Sequence, residues 1–185
     1  MIMSNSTDIK KFTVSRKQTA VENNIQNIAN KLSGEGLGYV TQVLGWVLDN
    51  LKNEKSREIK NRVFRKRTAS EIVADGFVTG CTDSALVFIA ICRAHSIPTK
   101  YVEVIDKRWL KESGTEGIKG HVFAECFINN QWYQIDPARG LIYAKPNYRR
   151  YEIFGSGLDS WDLGITDFKS LREKFIEFRK KKQDF

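Results

Sequence analysis

Three residues of this chain, Cys81, His121 and Asp136, could together carry out covalent chemistry. Cys81 lies in Val78-Thr79-Gly80-Cys81-Thr82-Asp83, directly ahead of the apolar run Ala85-Leu86-Val87-Phe88-Ile89-Ala90-Ile91-Cys92. That order predicts a loop feeding the first turn of a buried helix. Unpaired backbone N–H groups and the positive end of the helix dipole favour an anion there. The thiolate is the form of cysteine that attacks carbonyls. Such a nucleophile needs a base to move its proton and a third group to orient the base. His121 and Asp136 are candidates for those two roles.

Their placement follows from a hairpin. Gly120 to Ile128 and Gln131 to Asp136 read as strands separated by Asn129-Asn130, residues that tolerate the positive φ of a tight turn. A two-residue turn sets Ile128 opposite Gln131 and Phe123 opposite Asp136. Side chains alternate faces, so His121, Phe123, Glu125 and Phe127 share one with Trp132, Gln134 and Asp136. His121 and Asp136 become diagonal neighbours, about 7–8 Å apart at the backbone, within reach of an imidazole and a carboxylate. Cys126 falls on the opposite face, which argues against a metal site shared with His121.

The remaining elements must hold this arrangement. Ile9 to Val14 reads as a short strand. Val21, Ile25, Ile28, Ala29 and Leu32 recur at helical spacing before Gly34, and Leu37 to Leu51 mark a second helix of about four turns. These N-terminal helices fall within residues 18–54. Thr68-Ala69-Ser70-Glu71 is a capping-box pattern that starts a short helix, broken at Asp75-Gly76. The Cys81 helix ends near His95, before Pro98. Lys100 to Ile105 reads as a strand, Lys111 to Lys119 as a loop, and Ile142, Tyr143 and Ile153 as further strand. Phe168, Leu171, Phe175 and Phe178 predict an amphipathic helix over residues 167–182. Helices, then an antiparallel sheet, then a helix is an α+β order. The length of 185 residues suits a single domain, 1–185.

Composition narrows the function classes. The hydrophobic fraction of 41% with 11% aromatics predicts a globular rather than a disordered chain. The longest apolar run is far too short for a membrane span, so no membrane partner is expected. Met1 to Asp8 lacks the basic-then-apolar order of a signal peptide, and three cysteines suit a reducing compartment, so a cytoplasmic location is expected. The formal net charge is +8. Lys55, Arg57, Lys60, Arg62, Arg65, Lys66 and Arg67 stand against Glu58 alone within residues 55–67. This basic segment would suit an acidic partner, but a solvated loop with frayed helix ends explains it as well. No nucleic-acid motif accompanies it, so a nucleic-acid partner is not expected.

Thr68 to Val73, Gly80-Cys81-Thr82-Asp83, Ile91 to Val102, Gly120-His121-Val122-Phe123-Ala124-Glu125 and Gln131-Trp132-Tyr133-Gln134-Ile135-Asp136-Pro137 together resemble the core of the transglutaminase-like superfamily. The resemblance covers roughly residues 65–140. It implies a papain-like core with the nucleophile helix packed on an antiparallel sheet, and a Cys-His-Asp triad at Cys81, His121 and Asp136. Where the family often has Gly followed by Ile-Pro-Ala-Arg, Ser96-Ile97-Pro98-Thr99-Lys100 stands here. The paired Cys-x-x-Cys motifs of the peptide N-glycanase relatives are absent.

The chemistry so implied is attack of Cys81 on an amide carbonyl of a protein or peptide, giving a thioester. Water as the acceptor makes a peptidase or amidase, and this hydrolytic reading is the simpler expectation. An amine as the acceptor makes a transglutaminase. A binding module that keeps the fold without catalysis is a third reading. No cofactor is expected, and no acidic loop suggests calcium. The Cys81 backbone N–H is one oxyanion donor, and Trp46, Gln42 and Asn61 are candidates for a second. Asp83 is expected to complement the helix N-terminus, His95 to be structural, Cys92 and Cys126 to fill the core, and Glu125 to form a salt bridge.

Overall fold

The computed structural model describes residues 9–112 and 117–183. The signal-peptide reading of Met1–Asp8 lies outside them, as does the middle of the predicted loop after Lys111. Ile9–Val14 is not a strand but contains a 3-10 turn, Lys11–Thr13. Phe12 is the buried residue of that turn, and its carbonyl accepts from Arg93 Nε at 3.0 Å. The segment is therefore pinned to a helix by one side chain and one backbone group, rather than laid along a sheet.

Helices α1 (Asn23–Lys31) and α2 (Gly36–Asn50) follow the predicted periodicity. A two-residue strand, β1 (Lys52–Asn53), comes next, then helix α3 (Arg57–Val63) inside the basic segment. Helix α4 (Ala69–Asp75) carries the full capping box between Thr68 and Glu71. It stops at Gly76, whose φ of 72° is left-handed. Strand β2 (Phe77–Val78) pairs in parallel with β1, tying the end of α2 to the residues just before Cys81.

Helix α5 (Cys81–Ala94) is buried from Thr82 to Arg93. A helix apolar all round needs neighbours on every side. Here they are Ile25 and Ala29 of α1, Val40, Val43, Leu44 and Val47 of α2, Ile72 of α4, and one face of the sheet. Leu86, Phe88, Ile89 and Ile91 are fully buried in this cluster. Burying side chains of that size contributes about 1.5–3 kcal/mol each. At the end of α5, His95 stacks on Tyr39 with ring centroids 3.7 Å apart, in the structural role expected of it.

The sheet is antiparallel, in the order β6-β5-β4-β3-β7. Its strands are β3 (Thr99–Asp106), β4 (Gly120–Ile128), β5 (Gln131–Asp136), β6 (Leu141–Tyr143) and β7 (Tyr151–Gly157). Asn129 and Asn130 both have positive φ, 49° and 62°, and Ile128 pairs with Gln131, so the predicted register holds. Val122, Ala124 and Cys126 face α5. Val102, Val104 and Phe123 pack on the other face with Tyr148 and Tyr151.

Two further helices complete the chain. Helix α6 (Lys107–Lys111), which sequence periodicity did not reveal, is capped by Asp106 and buries Trp109. Helix α7 (Phe168–Gln183) packs Leu171 and Phe175 against Ile105, Trp109 and Ile165. A Cβ on Gly120 would lie 2.8 Å from both Phe175 Cε2 and the Val104 carbonyl oxygen. Glycine is thus required immediately before His121 for α7 to seat against β4.

Candidate active site

The loop that presents Cys81 is held by Arg67, a cation of the 55–67 segment for which the sequence offered an acidic partner or a solvated loop. Asp83 Oδ2 accepts from the Thr79 backbone N–H and hydroxyl, both at 2.8 Å, and from Arg67 Nη2 at 2.7 Å. Arg67 also bridges to Asp75 at 2.7 Å. Asp83 therefore does more than complement the helix dipole: it closes the turn around Gly80. Arg65 is buried too, with Nη1 and Nη2 each 2.8 Å from a Glu103 oxygen, and the Tyr101 hydroxyl joins the same pair. Burial opposes the Arg65 charge, but Glu103 outweighs it and holds the guanidinium pKa above its ordinary value. The 55–67 segment is accordingly not one solvated basic run. Two of its seven cations are internal.

Cys81 is half-buried at the first position of α5, and the first helical hydrogen bond runs from Ser84 to Gly80. His121, at the start of β4, is 7% exposed. Its Nε2 lies 2.8 Å from Asp136 Oδ2, so the diagonal pair of the hairpin is joined by a hydrogen bond. Nδ1 is the ring nitrogen not engaged by Asp136; Cys81 lines the same cavity as His121 and is among the groups that raise its pKa. Phe123 packs edge-on against the ring at 4.8 Å, and Tyr151 lies over it at 6.2 Å. Arg139 Nη1 reaches the same Asp136 oxygen at 3.3 Å, whereas Asp136 Oδ1 accepts no hydrogen bond from the described residues.

Burial alone would lower the His121 pKa. The hydrogen bonds to Asp136 and Cys81, and their charges, outweigh it and raise the value to about 9. The unfolded imidazole titrates near 6.5. A raised folded pKa stabilises the protein fully below about pH 6.5, and this contribution, up to roughly 3 kcal/mol, is lost as the pH rises through about 9. NMR titration of the His121 ring should give a midpoint near 9, and Cys81→Ala should lower it by removing one of the groups that raise it. A midpoint at or below 6.5 in the wild type would refute the coupling.

Two cavities meet at Cys81. One, of about 420 Å³, is lined by Val47, Leu48, Asn53, Gly80, Cys81 and Ala138, among others. The other, of about 180 Å³, lies on the His121 side and is walled by Phe64, Phe168, Leu171 and Phe175. Of the proposed oxyanion donors, Gln42 is exposed and bonded to Ser33, Asn61 is exposed, and Trp46 packs against the core without lining either cavity. Asn53 shares the larger cavity with Cys81. A two-residue strand carries no periodicity, so nothing in the sequence marked it. Glu125 binds Lys100 at 3.2 Å, the expected salt bridge, and accepts from the Tyr148 hydroxyl at 2.6 Å. Cys92 and Cys126 are fully buried in the core. Among the described residues no cluster of His, Cys, Asp and Glu could hold a metal ion, and no helix is long and apolar enough to cross a membrane.

A cysteine at a helix start, sharing a cavity with an imidazole that is in turn held by a carboxylate on the next strand, is the arrangement expected of the class to which the sequence points. The sequence profile of the transglutaminase-like superfamily matches residues 19–137, and the chain belongs to that superfamily. It is a cysteine-dependent enzyme family. Among solved structures, the chain is similar to a candidate cysteine protease from Cytophaga hutchinsonii. The two share 19% identity with a TM-score of 0.63, over 84% of this chain and 48% of the other. This chain thus corresponds to about half the length of that structure, and the likeness shows the fold. No curated protein matches the chain.

Proposed function

We propose that this protein performs cysteine-dependent acyl transfer at an amide carbonyl, with water as the final acceptor. The observation that carries the reading is the His121–Asp136 bond of 2.8 Å, on an imidazole that lines the same cavity as Cys81. The thiolate attacks the carbonyl carbon, and the carbonyl π electrons move to oxygen. The Cys81 backbone N–H and the Asn53 side-chain amide are the proposed donors to that oxyanion. As the C–N bond breaks, the leaving amine takes a proton from the His121 imidazolium. Neutral His121 then deprotonates water, which attacks the thioester. The acid departs, and the cysteine and histidine return to their starting state. Asp136 accepts from Nε2 throughout, fixing the tautomer.

Acid quenching during turnover of p-nitrophenyl acetate, followed by intact-mass and peptide mapping, should reveal one acetyl group on Cys81. Acetylation only elsewhere, or none, would sink the proposal. Supplying a glutamine peptide with a biotinylated amine then tests the acceptor, since stable incorporation of the tag would assign transglutamination instead of hydrolysis.

A further inference from the structure

The smaller cavity has walls of a kind the larger one lacks. Phe64 and Phe168 stack face to face with centroids 3.7 Å apart, and Leu171 and Phe175 continue the apolar wall. Phe168, Leu171 and Phe175 all come from α7, which lies beyond the residues matched to the superfamily. The Arg65–Glu103 pair at the cavity is internally neutralised by two short hydrogen bonds. It offers no net charge to a ligand, while Lys60 at the lining disfavours a cationic one. A volume of about 180 Å³ suits one large side chain rather than a stretch of peptide.

His121 lines this cavity and not the larger one. In the acyl-transfer reading, on which this inference rests, the imidazolium must reach the nitrogen of the leaving amine. The amine side of the scissile bond therefore lies toward His121. We infer that the α7-walled cavity is a specificity subsite for the amine-side residue, and that it accepts an aromatic or large aliphatic side chain. The same subsite would receive an amine attacking the thioester in the reverse sense.

Nucleophile partitioning tests this directly. Cys81 is acetylated with p-nitrophenyl acetate in the presence of phenylalaninamide, glycinamide or lysinamide at equal concentration. The N-acetyl amide and acetate are then quantified by mass spectrometry. Attack of the amine nitrogen on the thioester carbonyl forms the amide bond, breaks the C–S bond and releases the Cys81 thiolate, the amine proton passing to His121. The S-acetyl thioester of a small free thiol provides each amine's intrinsic preference. Filling an apolar pocket with a benzyl group should favour phenylalaninamide over glycinamide by about tenfold beyond that intrinsic ratio. Phe168→Ala should reduce the excess to about threefold or less, Phe168→Tyr should retain it, and lysinamide should show none. The ratio is read within each variant, so reduced total turnover does not obscure it, and Leu171→Ala provides a second reading if Phe168→Ala folds poorly. An acyl-enzyme that forms on Cys81 but partitions at the intrinsic ratio, or yields no amide with any amine, overturns the subsite while leaving the acyl-transfer reading intact. Absence of the acyl-enzyme overturns both.

Discussion

Cys81→Ser and His121→Ala should each lower the rate of acyl transfer on the order of 10⁴-fold or more, with the double variant scarcely worse than either single one. The reason lies in the division of labour at the site. In the proposed mechanism the thiol forms the thioester, and the imidazole of His121, which lines the smaller cavity with it, carries its proton. Members of such a unit act together, so removing one discards most of what the others contribute. Asp136→Asn should be milder, on the order of 10²–10⁴-fold, because it disturbs the orientation and charge of His121 without deleting the base. Single-turnover acylation followed by mass spectrometry separates these cases. Equal activity in wild type and Cys81→Ser would refute the nucleophile assignment. Additive losses in the double variant would mean that Cys81 and His121 do not act on the same step.

Arg65→Met should destabilise the fold by about 3–5 kcal/mol, because it leaves Glu103 buried without its cation. Glu103 is 1% exposed, and both its oxygens are engaged by Arg65. Arg65 also adopts φ of 57°, unusual for a residue with a Cβ, and its carbonyl accepts from Gln18 at 3.1 Å and Trp161 at 2.7 Å. The backbone there is fixed from two sides, so the site has little freedom to admit water to a stranded carboxylate. Arg65→Met combined with Glu103→Leu should recover much of the loss, since a buried pair replaced by apolar groups is often close to neutral. Guanidinium unfolding curves at constant m would measure both. A single-variant cost below about 1 kcal/mol would show that the pair behaves like an exposed one.

What was legible in the sequence, and what was not, divides by range of interaction. The β4–β5 hairpin could be counted residue by residue, since a two-residue Asn-Asn turn fixes register and register fixes faces. The capping box at Thr68–Glu71 and the apolar run of α5 are local signals and were equally readable. Arg65 and Arg67 were not. Their partners Glu103 and Asp83 lie 38 and 16 residues away, and a cation's sequence neighbours do not say which distant carboxylate will enclose it. The Ile9–Val14 segment failed for a related reason: a short alternating stretch has no intrinsic commitment to a sheet, and contact with Arg93 decided its shape. Asn53 was hidden because a parallel pairing of two residues leaves no pattern to detect.

The burial of two of the three cysteines has a consequence for inactivation. Cys92 and Cys126 are sealed within the core, while Cys81 alone is partly open to solvent. An electrophile applied to the folded protein should therefore be consumed at a stoichiometry of one, and that one equivalent would titrate the candidate nucleophile. Peroxide follows the same path, toward a sulfenic acid at Cys81. No other thiol can reach that sulfur while the core stays closed, so the oxidised residue cannot be protected as an internal disulfide. Its recovery depends on a small thiol arriving from solution before further oxidation makes the loss permanent.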